Sequence, residues 1–198
     1  MIEVAPPSDL HVENRTLTAP FGPTSGFQAI GDRRTGRRLD RQMEAIRQTL
    51  GAKLTDALVQ ELAASGFEVA VLADVPRQPG QQDTVDYGSL PTRDAVLHVA
   101  FSGVGLSSSA WSESYEPKMN ASAYLLASPD APGWLTGGHF YYGADASGDT
   151  AWSVPADARH RYPCIVTLAD QAGDLTEGYD AATRALARRI AGYLREQL

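Results

Sequence analysis

Four histidines are the residues in this sequence best suited to acid–base chemistry or metal binding: His11, His98, His139 and His160. None of them has a second histidine or a carboxylate at a metal-ligand spacing such as i, i+4. His98 lies inside an apolar run, which favours a hydrogen-bonded structural role over a catalytic one. We therefore predict no metal site, and we expect the protein to need no cofactor.

His139 stands in a run rich in glycine and aromatic residues, from Gly137 to Gly143. Glycines allow a ligand to approach the backbone closely, and aromatic rings can line a pocket. The alternative, which we favour, is that this run is an ordinary aromatic-rich strand of a sheet. The predicted ligand-binding residues are His139, Trp134, Phe140, Tyr141 and Tyr142.

The run 103–109 combines glycine with serine and raises the question of a nucleophilic serine. It lacks the Gly-x-Ser-x-Gly turn that exposes such a serine, and no helix with a third glycine follows it to make a dinucleotide site. A hydrolase would have to use Ser108 or Ser109 with His98 or His139 as its base. We rank this possibility last and predict that the protein is not an enzyme.

Two further spacings resemble metal sites only superficially. His160 and Cys164 are close in the sequence, but a proline intervenes and no second ligand pair exists, so we expect a buried, inert thiol. Asp145, Ser147 and Asp149 alternate like the start of a calcium loop, yet the glycine and the closing glutamate of such a loop are missing. We expect a solvated hairpin loop there.

The chain has 198 residues, of which 43% are hydrophobic, and a net charge of -7. This length and composition predict one globular domain and exclude a disordered chain and a membrane-spanning segment. The acidic balance disfavours a nucleic-acid partner. A single cysteine excludes both an internal disulfide and a zinc site built on paired cysteines.

A basic segment stands out from this acidic background. Residues 31–53 contain seven basic and three acidic side chains, a local charge of +4 that leaves the rest of the chain near -11. Such a segment can contact anionic lipid headgroups or an acidic partner surface, although a solvated loop and helix face is the commoner reason for it. The predicted contact residues are Arg33, Arg34, Arg37, Arg38 and Arg41.

Two long helices are predicted to position these residues. Apolar residues from Leu39 to Leu62 recur every three or four positions, and Gly66 follows as the residue expected just past a helix end. This helix is about 26 residues and about 40 Å long, and Gly51 inside it suggests a bend. The second helix lies at the end of the chain, with Asp174 as its predicted N-cap.

Between the two helices the sequence predicts strands. Residues 67–73 form a short apolar run typical of a buried strand, and we interpret the polar connection at 76–93 as a flap. Three sequential antiparallel strands are then predicted at 95–106, 119–128 and 134–143. The predicted fold is therefore α+β, a two-layer sandwich with a mostly antiparallel sheet and two long helices on one face.

Residues 1–38 are rich in proline and glycine and show no sustained period. We predict an extended amino-terminal arm there, with one short strand near 15–19, followed by a single α+β domain at 39–198. The start of the chain lacks the basic and apolar regions of a secretory signal. We therefore expect either a cytosolic protein or a mature segment whose signal has been removed.

Five segments of the chain form a pattern over about residues 39–198. They are the helix and strand Leu39–Ala73, the motif Ser114–Pro117, the apolar strand Ala121–Leu126, the run Phe140–Gly143 and a closing helix, Tyr179–Leu198, rich in alanine, arginine and leucine. In this pattern the chain resembles an uncharacterised group of bacterial envelope lipoproteins, and at the level of fold it is also similar to the amino-terminal domain of TolB and to the curli secretion lipoprotein. The group has no established activity, so no catalytic residues carry over, and this chain contains no lipobox cysteine.

The resemblance implies a periplasmic domain, anchored to the outer membrane in its precursor through a lipid that this chain does not carry. The leading hypothesis is a non-enzymatic domain that binds another envelope protein through a sheet edge, the 76–93 connection or the basic segment. The alternatives are a small-molecule binding module with an aromatic pocket, the serine–histidine hydrolase considered above and, for its location, the cytoplasm.

Overall fold

The computed structural model describes residues 1–14, 33–78, 81–108, 114–130, 133–143, 152–164, 167–168 and 172–198. Within them lie the long helices α1 (Arg33–Ala64) and α2 (Ala172–Gln197). The strands are β1 (His11–Asn14), β2 (Arg77–Gln78), β3 (Gln81–Val85), β4 (Val96–Ser108), β5 (Tyr115–Leu126), β6 (Trp134–Tyr142) and β7 (Ser153–Val154). The predicted α+β sandwich, with both helices packed on one face of a sheet, is confirmed.

Five strands form the main sheet, in the order β1-β4-β5-β6-β7. β4, β5 and β6 are antiparallel neighbours, so the predicted three-strand meander is confirmed with small shifts in its bounds. The two outer strands run parallel to their neighbours: β1 pairs with the end of β4, and β7 pairs with the end of β6. Inward-facing residues of β4, β5 and β6 form one buried core with the apolar stripes of α1 and α2.

The observed ends of the two helices agree only in part with the ends predicted from their apolar stripes. α1 is 32 residues long, about 48 Å, and begins before the predicted start at Leu39, because arginines form helix well without belonging to the stripe. Its end is as predicted: Gly66 has a φ of 92°, and Phe67 N–H donates to the Leu62 carbonyl at 3.1 Å. α2 begins at Ala172, so Asp174 lies in the first turn rather than at the N-cap. Among the described residues, neither helix is long and apolar enough to cross a membrane.

The two helices run parallel to each other. Lys53 and Asp180 form an ion pair at 2.5 Å, Glu61 and Arg188 form one at 3.3 Å, and the partners of both pairs are 127 residues apart. This constant offset places the first residue of α2 beside residue 45 of α1. The first 12 or so residues of α1, a length of about 18 Å, therefore extend beyond the start of α2.

Gly51 marks a close approach between two segments of the chain, and α1 continues through it. A Cβ at this position would lie 2.8 Å from backbone atoms of Ala5 and Pro6 and would overlap the carbonyl oxygen of Val4. Just beside this contact, Val4 N–H donates to Thr55 Oγ1 at 2.9 Å. The first residues of the chain are therefore packed onto α1.

The predicted buried strand at 67–73 is not a strand. Its one ladder contact is an isolated bridge between Leu72 and Ile2, and Val71 is 41% exposed. The segment lies beside the first residues of the chain, where the Met1 ammonium donates to the Ala70 carbonyl at 2.6 Å. An apolar run indicates extended backbone, but a strand also needs a partner of some length, and none is provided here by the described residues.

The connection at 76–93 folds into structure of its own. β2 and β3 pair as a small antiparallel sheet, and a short 3-10 helix at Tyr87–Ser89 follows them. Apolar side chains of this connection join the edge of the main sheet in a second, smaller core that contains Ile2, Val85, Leu90, Val96 and Leu126. The connection therefore covers part of the sheet face that the helices leave open.

Candidate functional site

The five predicted ligand-binding residues on β6 do not form one pocket. Phe140 and Tyr142 are buried beneath the helices, with exposures of 0% and 2%. His139 and Tyr141 alternate with them and so face the other side of the sheet. Trp134, at the start of the strand, is 48% exposed. Because neighbouring residues of a strand point to opposite faces, the run that looked like a pocket in the sequence is divided by the sheet.

A different group of rings, which we call the aromatic cluster, forms on the face opposite the helices. The ring centroid of Trp134 lies 5.0 Å from that of Tyr124 and 5.4 Å from that of Tyr87. The Tyr87–His98 and Tyr124–His139 centroids are 5.7 Å and 6.2 Å apart. These separations suit attractive aromatic contacts. The aromatic cluster consists of Tyr87, His98, Tyr124, Trp134 and His139.

The register of the sheet explains why these rings meet. Tyr124 on β5 is paired with His98 on β4 and with Gly137 on β6. A Cβ at position 137 would lie 3.0 Å from Cε1 of Tyr124, so the glycine leaves the space that this ring occupies. The glycines before His139 were therefore a genuine signal, but the protein's own tyrosine fills the space in which a ligand was expected.

His98 is buried and fixes Tyr87 to the sheet. Its Nδ1 lies 2.5 Å from the Tyr87 hydroxyl, and its Nε2 has no hydrogen-bond partner in the described part of the chain. Burial, with a smaller contribution from the Arg77 guanidinium, lowers the pKa of His98 to about 4. The imidazole is therefore uncharged near neutral pH. This agrees with the preferred interpretation of a hydrogen-bonded structural histidine.

A stretch of β6 that has no neighbouring strand among the described residues lies directly beside the aromatic cluster. Gly143 N–H donates to the Val154 carbonyl of β7 at 3.1 Å, and alternation along β6 turns the backbone groups of residues 137 and 139 toward the same side. β7 reaches only the last two residues of β6. Within the described residues, no strand pairs with residues 134–139 on this side. We call residues 134–139 the open edge.

Two large apolar side chains stand at the open edge. Trp134 is 48% exposed and Leu135 is 54% exposed, and Leu135 is an extra residue without a partner in the β5 register. The helix side is closed by Tyr193 of α2, whose hydroxyl donates to the Gly137 carbonyl at 3.2 Å. An incoming chain would therefore reach the open edge from the side of the aromatic cluster. Adjacent exposed apolar residues of this size are typical of interaction surfaces.

The serine–histidine pairs considered for a hydrolase are not assembled. Ser108 is buried at the opposite end of β4 from His98, ten residues or about 33 Å away along the strand. The register of the meander separates Ser108 from His139 by about seven residues, or about 24 Å. Ser109 lies outside the described residues. Neither histidine can form with Ser108 the hydrogen bond that activates a nucleophile.

The described residues contain no group of three side chains that could hold a metal ion. His160 lies in a short 3-10 helix, and Cys164 is half-buried, with its Sγ 3.0 Å from Thr167 Oγ1, rather than fully buried as expected. The calcium-like run at 145–149 lies outside the described residues. No metal chemistry is therefore proposed for any of these positions.

The predicted basic contact residues lie on the first turns of α1. Arg37, Arg38 and Arg41 are exposed, whereas Leu39 between them is fully buried. The exposed arginines and the apolar stripe thus occupy different faces of the same turns. Arg33 and Arg34 begin the helix.

A cavity of about 480 Å³ lies at the carboxyl ends of the two helices. None of the five predicted ligand-binding residues lines it. If the protein holds a small molecule, this cavity is better placed to do so than β6. Its apolar walls include Leu62, Leu72, Leu97, Leu125 and Leu194.

Comparison with protein-family models, with curated proteins and with solved structures gives no match to this chain. The resemblance to envelope lipoproteins therefore stays a prediction. Function has to be argued from the geometry, whose clearest feature is an open edge beside an exposed aromatic cluster.

Proposed function

We propose that this protein is a non-enzymatic binding domain of the bacterial cell envelope that takes up an extended segment of a partner protein along the open edge. The observation that carries the proposal is the contrast between the two sides of the sheet. The chain's own first residues cover the outer side of β4, whereas the open edge has no strand beside it in the described part of the chain. Main-chain hydrogen bonds to such an edge supply affinity, and neighbouring side chains supply selectivity.

The aromatic cluster defines the kind of segment that would fit. An added strand continues the sheet, so every second side chain of that strand lies on the same face as Trp134 and Tyr124. Apolar or aromatic side chains at those positions pack against these rings, and cross-strand contacts of this type stabilise pairing. His98 is uncharged near neutral pH because of its low pKa, so the buried part of the cluster carries no charge to attract a charged side chain. The expected partner segment is therefore extended and apolar at alternate positions.

Strand addition is tested with peptides as probes. A library of random decapeptides is selected on phage against the whole protein, and the tightest binder is resynthesised. Binding of this peptide should protect the backbone N–H of His139 from hydrogen exchange. His139→Pro removes that outward donor without touching the bonds to β5, and we expect it to weaken binding at least about tenfold.

The matched control is His139→Ala, which removes the imidazole but keeps the backbone donor. We expect it to weaken peptide binding less than about threefold, because the imidazole belongs to the exposed rim of the aromatic cluster. Equal losses in the two variants would mean that side chains alone are recognised. That result, or a selected peptide that protects no residue of β6, would contradict strand addition.

The envelope location is proposed from the resemblance and is tested separately. Cells that express the gene from its natural start are fractionated, and the amino terminus of the protein is identified by mass spectrometry. A signal peptide followed by a lipid-modified cysteine, with recovery in the envelope fraction, would support the proposal. Recovery of an unprocessed protein in the cytosol would contradict it.

A second candidate function is the binding of an apolar small molecule, favoured by the cavity of about 480 Å³. This volume lies in the range of pockets that hold small ligands. Nile red is a suitable probe because its emission rises in apolar surroundings. Val69→Trp places a large ring at the cavity wall and should abolish the emission, whereas unchanged emission would exclude this cavity as the site.

A further inference from the structure

We infer that the start of α1 docks the protein on an anionic phospholipid surface through Arg37, Arg38 and Arg41, which we call the arginine face. This contact is separate from the open edge and does not depend on the function proposed for it. It concerns the basic segment at the start of α1, which takes no part in the strand addition proposed for the open edge. The three side chains are exposed on consecutive turns, on the side of α1 that the apolar stripe does not occupy.

The position of the arginine face leaves it accessible. The offset between the two helices makes the first 12 or so residues of α1 extend beyond the start of α2, and all three arginines lie on this projecting part. Leu39 and Met43 remain buried there, so the projecting turns are still packed on their inner side. The arginine face is therefore a rigid, outward-facing end of the molecule.

The start of α1 carries a net positive charge. Among residues 32–41 five arginines accompany two acidic residues, Asp32 and Asp40, which gives a net charge of +3. The next carboxylate, Glu44, is bound by Arg47 through two bonds of 2.7 Å and 2.8 Å and also accepts from Gln48. Farther along, Lys53 is paired with Asp180. Residues 42–64 contain two basic and three acidic side chains, so the positive charge of α1 lies in the first part of its sequence.

The helix dipole does not explain the arginines at the start of α1. The first turn of a helix carries partial positive charge, so acidic side chains are favourable there and arginines are not. α1 begins with Arg33 and Arg34 and has no acidic residue in its first turn. Arg33 and Arg34 therefore work against the helix dipole, whereas Arg37, Arg38 and Arg41 lie beyond the turn in which it acts.

The shape of the arginine face favours a membrane over a single phosphate group. Arg37 and Arg41 are one helical turn, about 6 Å, apart on a convex surface, whereas a bound phosphate needs donors that converge. A planar array of lipid phosphates can meet all three side chains at once. The rest of the chain carries about -11 and would be repelled, so that this end alone turns toward an anionic surface.

Docking in this way would leave the open edge free. The offset of 127 residues places Tyr193, which contacts Gly137 beside the open edge, next to residue 66. Residue 66 is about 27 residues, or about 40 Å, from the arginine face along the direction of α1. The arginine face and the aromatic cluster therefore lie at opposite ends of the molecule.

The test measures partition onto vesicles of phosphatidylcholine with and without phosphatidylglycerol. We expect binding only to the anionic vesicles, and we expect it to weaken as salt is raised. The triple variant Arg37→Gln/Arg38→Gln/Arg41→Gln should lose about 100-fold in partition, since each basic residue near an anionic surface strengthens binding several-fold. Loss of salt dependence, or equal binding to neutral vesicles, would overturn the inference.

A matched variant removes the same charge elsewhere: Arg93→Gln/Arg184→Gln/Arg195→Gln changes three exposed arginines outside α1 and leaves the Arg188–Glu61 ion pair in place. We expect its partition to change less than about threefold, because these side chains face away from the docked surface. Equal losses in the two triple variants would show that net charge alone matters and would overturn the inference.

Three further measurements distinguish docking on lipid through the arginine face from other modes of binding. Trp134→Phe should leave partition unchanged, and a loss would mean that the aromatic cluster inserts into the lipid instead. Glycerol phosphate should compete no better than sodium chloride of equal ionic strength. Stronger competition would indicate a discrete phosphate site, and charge-dependent self-association in the absence of vesicles would indicate a second copy as the partner. Any of these three results would overturn the inference.

Discussion

The two edge regions of the main sheet differ in how far their backbone is paired with other segments of the chain. Along β4, the chain's own first residues provide cover: Ile2 N–H donates to the Leu97 carbonyl at 3.0 Å, and β1 pairs with the last four residues of the strand. Along β6, the described residues provide a neighbouring strand of only two residues, β7, and the Tyr193 hydroxyl binds one further carbonyl, that of Gly137. Exposed edges invite pairing with other chains, and proteins generally protect them. This contrast is the basis for the proposal that a partner segment pairs with β6.

Covering the β4 edge requires close packing of backbone against backbone. At Gly105 a Cβ would overlap the His11 carbonyl oxygen and lie 2.9 Å from its carbon. The Gly105 carbonyl also accepts a hydrogen bond of 2.6 Å from the Tyr179 hydroxyl, so this residue contacts both β1 and α2. The closed edge is thus built into the core, whereas the open edge carries exposed side chains. The two sides should respond very differently to substitution.

The largest effect is expected at Gly105. Gly105→Ala should lower the free energy of unfolding by about 3 kcal/mol, because β1 has to move away from β4 to admit the methyl group. The measurement is chemical denaturation followed by circular dichroism. Gly103→Ala on the same strand is the control: its Cβ would lie 3.7 Å from Asn120 Nδ2, an ordinary contact, and should change stability by less than about 0.5 kcal/mol. Equal effects would mean that β1 does not cover this edge in solution.

The second-largest effect is expected from His98 in the aromatic cluster, as a dependence of stability on pH. The folded-state pKa of His98 is about 4, below the ordinary value of 6.5, so the unfolded chain binds more protons between these pH values. Stability is therefore lost as the pH falls through this window, by about 2 kcal/mol between pH 7 and pH 5. Denaturation at the two pH values measures the difference. His98→Gln should abolish it, and an unchanged pH dependence in that variant would show that His98 is not buried behind Tyr87.

The amino-terminal cover can be tested where it crosses α1. Gly51→Ala improves helix propensity by about 1 kcal/mol but forces the methyl group against the backbone of Val4, so we expect a net loss of about 1 to 2 kcal/mol. Gly192→Ala is the same substitution inside α2, where a Cβ would meet nothing within 4 Å. It should stabilise the protein by about 0.5 to 1 kcal/mol. The two substitutions should change the free energy of unfolding in opposite directions only if the first residues of the chain are packed on α1.

Gly51 also shows where prediction from sequence stops. The apolar stripe from Leu39 to Leu62 predicted the helix, and the alternating segments predicted the three central strands, because burial imposes its period on the sequence. A glycine inside a helix can mark a bend or a close approach, and the choice depends on a segment far away along the chain. The cover of the β4 edge was missed for the same reason. Its prolines and short strand carry no period, and only the tertiary structure brings them to β4.

The candidate site shows the same limit. The run containing His139 was correctly singled out as unusual, but the period of two along a strand divides it between two faces. That division was predictable from the alternation alone. The participation of Tyr87 and Tyr124 was not predictable, since Tyr87 comes from a separate connection and Tyr124 meets it only through the register of β5. A cluster assembled from four segments leaves no motif in the sequence.

The smallest effect is expected on the open edge itself. Leu135 is 54% exposed, so Leu135→Ala should change the free energy of unfolding by less than about 0.5 kcal/mol while weakening binding of an edge peptide. Val12→Ala on β1 removes an apolar side chain that is 7% exposed and should cost about 1 kcal/mol. Denaturation of both variants compares the two edges directly. If Leu135→Ala destabilises the protein as much as Val12→Ala does, the β6 edge is covered by the chain itself, and it has no room for a partner strand.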